Sequence, residues 1–440
     1  MRVGVIGLGY LGATHAVAMA KLGHEVVGFE RNSDRLAALA AGKLPFFEPG
    51  LESALAEVTD SGNLSFAASP KEADLCELYF LCVGTPQADD TGKADTSHVF
   101  EAGLELAAVI SPETVVVGKS TVPIGTAREL QRQMSKACGF DVLLAWNPEF
   151  LREGTALEDS LRPDRIVVGS ANTSDKRAND AVLNCYASLV ASGVPVIETD
   201  LETAELVKVA ANAFLATKIS FINGMAEVAE ASGADAVMLA KAIGYDERIG
   251  NKFLRTGAGF GGGCLPKDIR GFAARAKELG VGEAVGFLDD VDQINKRRRQ
   301  RVIDIAKEEL GALTGKKILV LGLAFKPDSD DMRDSPALDI ALGLAHAGAE
   351  VSVHDPVALD ALGDKHLELV RASALDAAFA GQELVVLATE WKEYRELDPE
   401  VVGKEVAVKT VIDARNVLDV ESWQKAGWRL IALGRNVHKN

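Results

Sequence analysis

The chain has 440 residues, of which 48% are hydrophobic and 25% are charged, so it can form two or three domains with a core each. This composition excludes a disordered chain, a collagen and a small disulfide scaffold. The 64 acidic residues outnumber the 47 basic ones and give a net charge of −17. Such a chain lacks the broad basic face of a general nucleic-acid binder, although a few local cations can still hold a small anion.

The five cysteines are too few and too scattered for a disulfide framework, and none forms a C-x-x-C pair. No apolar run reaches the roughly 18 residues of a membrane span. The first residues also lack the charged and hydrophobic regions of a signal peptide. We therefore expect a reduced, cytoplasmic protein with no nucleic-acid partner, no membrane partner and no metal.

Apolar β-rich runs alternate with Ala- and Leu-rich helical stretches through the first 200 or so residues. These runs are residues 3–6, 25–29, 78–83, 114–117, 142–145 and 166–168. Such alternation predicts a mostly parallel sheet with helices on both faces. From about residue 201 to residue 301 helical patterns dominate, interrupted chiefly by a glycine-rich stretch. The basic run at residues 296–299 lies on one of these helices and predicts a solvated or intersubunit face.

A second alternating set begins at residues 317–322. It continues with a helix from about Pro336 and with strands near residues 350–353, 384–387 and 411–413. The sequence therefore predicts an α/β fold with two Rossmann-like doubly wound domains joined by a central helical region. We place the boundaries at residues 1–200, 201–300 and 301–440.

Residues 7–12 read Gly-Leu-Gly-Tyr-Leu-Gly between a strand and a helix. The three glycines of this pattern allow a tight turn, close approach to a pyrophosphate, and close packing of helix on strand. The next strand ends at Glu30, eighteen residues past the last glycine, where a carboxylate can accept from ribose hydroxyls. Because it would also repel a 2′-phosphate, NAD is favoured over NADP, with Arg31 and Arg35 leaving NADP open.

Residues 257–263 contain five glycines and are followed by Cys264 and Pro266. Pro266 suits the first turn of a helix, so Cys264 is expected just before a helix N-terminus. The helix dipole and a nearby lysine stabilise a thiolate at that position. The pattern predicts a reactive cysteine.

Further polar groups could serve such a cysteine. Lys208 and Asn212 are four residues apart on a predicted helix, so both can reach one side and hold an oxyanion. Glu149 and Glu153 follow one strand, and residues 120–123 follow another, at the end where open α/β sheets bind ligands. Each of these could be ordinary loop or surface chemistry when taken singly.

Together these motifs resemble the UDP-glucose 6-dehydrogenase family, within the nucleotide-sugar dehydrogenases that oxidise a sugar alcohol twice. The resemblance covers essentially the whole chain. Its motifs lie at residues 7–12, 82–86, 119–123, 147–154, 208–218, 248–250, 257–268, 325–327 and 331–333.

The resemblance implies that the first domain binds NAD. The residues that it assigns to the cofactor are Gly7, Gly9, Tyr10, Leu11, Gly12, Glu30, Arg35, Thr85, Thr121, Glu153, Lys267 and Arg333. It also implies that the C6 alcohol of UDP-glucose becomes an aldehyde, then a thiohemiacetal and a thioester on Cys264, and finally UDP-glucuronate.

The resemblance gives further catalytic roles to Lys208 and Asn212 at the oxyanions, to Asp268 and Thr121 at the catalytic water, and to Glu153 as the base for hydrolysis. The third domain would hold the UDP half. The residues assigned to the substrate are Glu149, Phe150, Leu151, Glu153, Lys208, Asn212, Arg248, Gly257, Phe260, Gly261, Lys326 and Arg415. Arg248 would reach the neighbouring subunit, which implies a homodimer built on the central helices.

Four positions depart from the pattern expected of this family. Leu265 replaces an aromatic residue, Gly263 a serine, Gly224 an acid, and Glu30 the more usual aspartate. None of these changes removes a catalytic group. The alternatives are the same chemistry on GDP-mannose or on a UDP-N-acetylhexosamine, and, in a different class, a catalytically silent dinucleotide-binding regulator. A single-step hydroxyacid dehydrogenase would typically use a histidine base, and no histidine lies in these motifs.

Overall fold

The computed structural model describes residues 1–88 and 92–436. The last four residues of the predicted third domain, 437–440, lie outside this range. The chain divides into two compact units, residues 1–211 with 270–282, and residues 212–269 with 283–440. Among the described residues, no helix combines the length and the apolar character that a membrane span requires.

The first unit contains a sheet of eight strands, ordered β10-β9-β8-β7-β4-β1-β2-β3. All neighbouring pairs are parallel except β8 with β9. The strands of the sheet are β1 (Arg2–Ile6), β2 (Glu25–Phe29), β3 (Leu64–Ala67), β4 (Leu78–Leu81), β7 (Val115–Gly118), β8 (Leu143–Trp146), β9 (Ile166–Ser170) and β10 (Val196–Asp200). A separate antiparallel pair is formed by β5 (Gln87–Ala88) and β6 (Lys93–Ala94).

Helices cover both faces of this sheet because successive side chains of its buried strands are apolar in both directions. Leu78 and Phe80 of β4 belong to one core cluster, whereas Tyr79 and Leu81 belong to the other. The helices are α1 (Tyr10–Lys21), α2 (Ser33–Ala40), α3 (Leu51–Asp60), α4 (Ser97–Ala107), α5 (Thr126–Cys138), α6 (Ala156–Leu161), α7 (Arg177–Cys185) and α8 (Ala187–Ala191). The order of the strands reverses between β1 and β4, which is where such sheets bind ligands.

Four helices follow in the middle of the chain. They are α9 (Leu201–Ser232), α10 (Ala236–Gly244), α11 (Leu265–Glu278) and α12 (Phe287–Leu310). Helix α9 begins in the first unit and ends in the second, whereas α11 begins in the second unit and ends in the first.

The second unit contains a parallel sheet of six strands, ordered β13-β12-β11-β14-β15-β16. Its strands are β11 (Lys317–Leu321), β12 (Glu350–His354), β13 (Leu369–Arg371), β14 (Leu384–Leu387), β15 (Thr410–Asp413) and β16 (Arg429–Ala432). Its further helices are α13 (Pro336–His346), α14 (Leu375–Ala378), α15 (Lys392–Arg395), α16 (Pro399–Val402) and α17 (Val420–Lys425). The predicted fold class, two α/β domains and a central helical region, is confirmed.

Candidate active site

The glycine turn between β1 and α1 is shaped as a dinucleotide-binding turn requires. Gly7 has φ +86, and a Cβ atom on Gly12 would lie 1.8 Å from the carbonyl oxygen of Gly7. A Cβ atom on Gly9 would meet no described atom within 4 Å. The helix therefore packs tightly on the turn at Gly12, whereas the space beside Gly9 at the N-terminus of α1 is open. A pyrophosphate fits this open space.

Glu30 lies beside this turn at the carboxyl end of β2. Its buried carboxylate accepts from the backbone N–H of Leu8 at 3.1 Å and of Asn32 at 2.9 Å, and the Arg35 guanidinium lies 3.2 Å away. Arg31 is turned elsewhere, onto two glutamates of helix α4. The acid predicted to meet the ribose is thus fixed next to the glycine turn, with Arg35 against it.

The neighbouring strand ends carry the other polar groups predicted for this side. Thr85, after β4, donates through Oγ1 to the carbonyl oxygen of Thr121, after β7, at 2.7 Å. Lys119 is buried, and its Nζ atom donates to Asn147 Oδ1 at 2.9 Å and lies 3.2 Å from the Tyr186 hydroxyl. Burial lowers the pKa of Lys119. These bonds fix the start of the loop at residues 147–154.

Glu149, in that loop, forms a buried ion pair with Lys208 of helix α9. The Lys208 Nζ atom lies 2.8 Å from Glu149 Oε1, and Glu149 Oε2 accepts from the backbone N–H of Leu151 at 2.8 Å. Phe150 lies between two cations, with Arg165 at 3.7 Å and Lys208 at 5.6 Å from its ring centroid. The structure thus brings together four of the residues assigned to the substrate.

Tyr10 and Gly154, the residue after Glu153, are linked through a residue that the sequence reasoning missed. The Tyr10 hydroxyl donates to the buried carboxylate of Glu48, which also accepts from the backbone N–H of Gly154 at 2.7 Å. Burial, followed by the contact with Glu48, raises the pKa of Tyr10 far above its ordinary value. Glu153 is half-buried beside Gly154, whereas the side chain of Leu11 packs into the apolar core.

In the second unit, Cys264 is the residue immediately before helix α11, and its side chain is exposed. Asp268 lies in the first turn of that helix and is buried, with its backbone N–H bonded to the carbonyl oxygen of Cys264 at 2.9 Å. Its two carboxylate oxygens accept from Asn212 Nδ2 at 2.6 Å and from Lys267 Nζ at 2.7 Å. The predicted cysteine therefore lies next to a hydrogen-bonded Asn–Asp–Lys group.

The loop before Cys264 needs its glycines because other parts of the second unit press against its backbone. A Cβ atom on Gly257 or Gly261 would lie 2.8 or 2.4 Å from a backbone carbonyl oxygen. Gly259 has φ +101, and a Cβ atom there would lie 2.2 Å from Asn295 Oδ1. A side chain at any of these positions would force the loop away from its supports.

Helix α12 holds the same loop from one side. Asn295, which is fully buried, accepts from the backbone N–H of Phe260 at 2.7 Å and donates to its carbonyl oxygen at 2.9 Å. Arg299 donates to the same carbonyl oxygen at 2.9 Å, and Arg298 pairs with Glu230 of α9 at 2.9 Å. The prediction of a solvated or intersubunit face is therefore wrong for Arg298 and Arg299, which are both buried because they bind partners inside the unit.

The residues assigned to the UDP half follow strands β11 and β15. Arg415 is buried and donates to the carbonyl oxygens of Ala388 at 2.6 Å and Gly259 at 2.9 Å. Burial lowers the pKa of Arg415. The Lys326 Nζ atom lies 5.2 Å from the centroid of the Phe325 ring. Arg415, at the carboxyl end of β15, thus supports the glycine-rich loop at residues 257–263 before Cys264, called the cysteine loop below.

Arg333 occupies the space beside Gly263, one of the positions that depart from the family pattern. Its guanidinium is paired with Asp331 at 2.8 Å, and a Cβ atom on Gly263 would lie 2.3 Å from its Cζ atom. The backbone N–H of Gly263 also donates to Asp331 at 3.1 Å. Arg248 lies apart from this group, paired with Asp246 at 2.6 Å and with 89% of its side chain exposed.

Three domain models of one family match successive parts of the chain. Residues 1–190 match the NAD binding domain of the UDP-glucose/GDP-mannose dehydrogenase family, residues 202–297 its central domain, and residues 319–420 its UDP binding domain. The chain belongs to this family. It is therefore an NAD-dependent oxidoreductase, and the open turn at Gly9 and the carboxylate of Glu30 fit the cofactor.

Members of the UDP-glucose/GDP-mannose dehydrogenase family resemble this chain over its full length. A UDP-glucose 6-dehydrogenase from Rhizobium meliloti is 39% identical, covering 99% of this chain and 100% of the relative. The structure of a UDP-glucose dehydrogenase from Pyrobaculum islandicum has a TM-score of 0.88 at 38% identity, covering 100% of this chain and 98% of that one. A UDP-D-ManNAc dehydrogenase from Pyrococcus horikoshii has a TM-score of 0.86 at 28% identity, with 99% of each chain covered.

Sequence reasoning missed Glu48, Asn295 and the inward-facing arginines of helix α12. Asn295 had a detectable signal, since it lies four residues after Val291 and seven before Val302 on a helix whose buried face is otherwise mostly apolar. Glu48 had no such signal, because the segment that carries it has neither a motif nor a regular period. Within the described residues, no group of three or more His, Cys, Asp or Glu side chains is placed to hold a metal ion.

Proposed function

We propose that this protein oxidises the C6 alcohol of UDP-glucose to the carboxylate of UDP-glucuronate through a thioester on Cys264. The observation that carries the proposal is an exposed cysteine immediately before helix α11, whose first turn holds Lys267 and Asp268, with Asp268 bonded to Asn212 of α9. The high identity to enzymes named UDP-glucose 6-dehydrogenase supports UDP-glucose as the substrate.

The chemistry consists of two oxidations and one hydrolysis. NAD, when bound, accepts the hydride that leaves C6 in each oxidation. The first oxidation also releases the hydroxyl proton and leaves an aldehyde. The Cys264 thiolate adds to the aldehyde carbon, and the aldehyde oxygen takes up a proton, which gives a thiohemiacetal. Loss of the second hydride and of a proton gives a thioester. Water then adds to the thioester carbon, the C–S bond breaks, and the carboxylate leaves while the thiolate is restored. The covalent link retains the aldehyde in the site.

The polar groups of the site have distinct roles in this sequence. Lys208 and Asn212, one turn apart on α9, stabilise the negative oxygen of each tetrahedral species. Asp268 and Thr121 hold the hydrolytic water, and Glu153 takes its proton.

We expect E153Q to accumulate the Cys264 adduct, visible as a mass increase of the intact protein. Accumulation in E149Q alone would instead assign the role of base to Glu149.

The nucleotide half of the substrate binds in the second unit. Lys326 and Arg415 follow the carboxyl ends of its strands, and the backbone of residues 257–259 lies close to Arg415. We infer that Lys326 neutralises a phosphate and that Arg415 acts mainly by shaping the loop that contains Phe260. Residues 319–420 match the UDP binding domain of the family, which supports this placement.

A homodimer completes the proposal. Phe214, Phe221 and Val228 repeat every seven residues along helix α9 and are 66%, 50% and 58% exposed. Such an apolar stripe on a 32-residue helix fits a second copy of the same chain. Arg248 is exposed in the single chain and would reach the partner's substrate. F221D should convert the dimer to monomers in sedimentation velocity, and an unchanged sedimentation coefficient would argue against this interface.

The function is tested by counting NADH formed per sugar nucleotide consumed, with UDP-glucose, GDP-mannose and UDP-N-acetylglucosamine offered separately. Two NADH per UDP-glucose, abolished in C264A, is the expected result. One NADH with a released aldehyde would exclude the thioester route. Two NADH on another sugar nucleotide only would keep the chemistry and change the substrate.

The role of Arg248 across the dimer is tested by mixing two inactive variants, R248A and C264A. In a mixed dimer, one site combines an intact Cys264 with an intact Arg248 from the other chain. Activity should therefore return on mixing. Failure to recover activity in dimers shown to be mixed would place Arg248 in its own subunit's site.

Cytoplasmic residence, inferred from the few scattered cysteines, stays a prediction.

A further inference from the structure

The segment between helices α2 and α3 contains a buried carboxylate with no role in the chemistry proposed above. Glu48 is 4% exposed. One carboxylate oxygen accepts from the Tyr10 hydroxyl and from the backbone N–H of Gly154 at 2.7 Å, and the other accepts from the backbone N–H of Ala156 at 2.8 Å. A buried carboxylate is costly unless such donors satisfy it, so these three bonds determine where it lies.

The donors come from two parts of the first unit that are far apart in sequence. Tyr10 is the first residue of α1 and directly follows Gly9 of the cofactor turn. Gly154 ends the loop that begins with Asn147 and contains both Glu149 and Glu153, and Ala156 is the first residue of helix α6. Glu48 therefore contacts both the residue that follows the cofactor turn and the end of the carboxylate loop.

The same segment makes a second contact with Tyr10. The Phe46 ring packs on the Tyr10 ring with a centroid distance of 4.9 Å and an angle of 51°. The tyrosine is thereby fixed both by its ring and by its hydroxyl. The other end of the loop has separate supports, since Glu149 is held by Lys208 and Leu151. Loss of Glu48 should release the part of the loop next to Glu153 and leave the Glu149 end in place.

We propose that Glu48 is a positioning residue that fixes the Glu153 end of the carboxylate loop against the cofactor turn, acting through Gly154, Ala156 and Tyr10. This inference rests on the proposed function for its catalytic consequence. Hydrolysis of the thioester depends on an accurately placed base, so hydrolysis should slow more than the two oxidations. Displacing a catalytic group by about 1 Å can cost up to about 100-fold in rate.

The test compares three variants of the full-length enzyme. E48Q keeps the side-chain volume but presents an NH₂ group where one or two of the three donors point. Y10F removes one donor and leaves Glu48 on both backbone N–H groups. E52Q alters an exposed glutamate of the same region, whose side chain accepts from the backbone N–H of Leu44, and serves as the matched control.

We expect E48Q to show a burst of NADH followed by a steady rate about 10- to 100-fold lower than wild type, with the Cys264 adduct accumulating. The KM for UDP-glucose should stay near the wild-type value. Y10F should show the same pattern more weakly, and E52Q should match wild type. A lower rate without burst or adduct would overturn the proposal, because a merely structural role slows all steps alike.

Amide hydrogen exchange separates this inference from the proposed function. In E48Q the amides of Gly154 and Ala156 should exchange faster than in E52Q, whatever substrate the enzyme takes. Unchanged protection of both amides would overturn the positioning role. An inactive wild-type protein with the expected exchange difference would instead overturn the proposed substrate.

Discussion

The Lys208 Nζ atom lies 2.8 Å from a carboxylate oxygen of Glu149, and the two side chains are 6% and 11% exposed. Two residues assigned to the substrate therefore neutralise each other before any substrate binds. This arrangement keeps a cation inside the protein without leaving it unbalanced. Removing either side chain therefore affects both activity and stability, because the charge of the other side chain stays buried without a partner.

We expect K208M to lose about 3–5 kcal/mol in the free energy of unfolding, because Glu149 would remain buried without its cation. Its kcat should fall about 10²- to 10³-fold if Lys208 stabilises the oxyanions. The double variant K208M/E149Q should recover much of the stability and none of the activity. Urea unfolding and steady-state kinetics measure the two effects.

The matched control is K176M, which breaks the exposed pair between Lys176 and Glu198, with 49% and 33% of their side chains exposed. It should cost less than about 1 kcal/mol and leave kcat unchanged. If K208M were as stable as K176M, the buried pair would not be a stabilising feature of the first unit.

The two hydrogen bonds between the Asn295 side chain and the backbone of Phe260, one accepted and one donated by Asn295, give a second prediction. N295A leaves a buried N–H without its acceptor, at a cost of about 1–3 kcal/mol. Because the cysteine loop would loosen, the KM for UDP-glucose should rise more than the KM for NAD. N295D keeps the acceptor and should bind UDP-glucose better than N295A does.

The control for this series is N184A, which removes an exposed asparagine from helix α7. It should change neither stability nor KM. Equal increases in the two KM values of N295A would indicate a general loss of folded enzyme rather than a local effect on the loop.

Gly263 gives a third prediction, because a Cβ atom there would lie 2.3 Å from the Cζ atom of Arg333. In G263S the flexible guanidinium must move, so the KM for NAD should rise several-fold while stability changes by less than about 0.5 kcal/mol. The effect should be absent in an R333A background, since nothing remains to displace. Additive effects of the two substitutions on the NAD KM would refute the coupling.

Glu205 of helix α9 gives a prediction about pH. Its carboxylate accepts from the backbone N–H groups of Gly125 and Ala127, each at 2.6 Å, and burial raises the pKa of Glu205 from 4.5 to about 7. The folded protein therefore holds this proton more tightly than the unfolded chain does. The resulting stability is fully present below about pH 4.5 and is lost as the pH rises through about 7. The difference in pKa corresponds to about 3 kcal/mol.

E205Q stays neutral at every pH, so its stability relative to wild type should rise by about 2–3 kcal/mol between pH 5 and pH 8. Urea unfolding across this range measures the change. E57Q, which alters a glutamate with 68% of its side chain exposed, is the control and should follow wild type. Parallel curves for wild type and E205Q would contradict the raised pKa.

The strand framework could be read from the sequence because buried parallel strands are continuous apolar runs. The predicted run at 25–29 coincides with β2, and the run at 384–387 coincides with β14. The missed strands β3, β10, β13 and β16 were harder to see, since all four lie at sheet edges and carry exposed or half-buried residues. An edge strand needs one apolar face at most, so its sequence resembles a loop.

The glycine turn, the acid at the end of β2 and the cysteine before a helix were also readable, because each depends on backbone geometry within a short stretch. The supports of these groups were not. In the sequence, Arg298 and Arg299 resemble part of a charged surface run. In the structure both are buried, because Arg298 pairs with Glu230 and Arg299 donates to the carbonyl oxygen of Phe260. Neither partner lies within 35 residues of them along the chain.

The sequence by itself determined which backbone turns, strands and reactive groups this protein has, since local sterics and hydrophobic periodicity act over a few residues. The tertiary structure decided how buried charge is balanced. Lys208 with Glu149, Asp268 with Asn212 and Lys267, and Glu48 with its three donors became visible only in the folded chain. A buried polar group needs a hydrogen-bond or ion-pair partner, and the fold can supply that partner from any part of the chain. The partner therefore cannot be predicted from positions in the sequence alone.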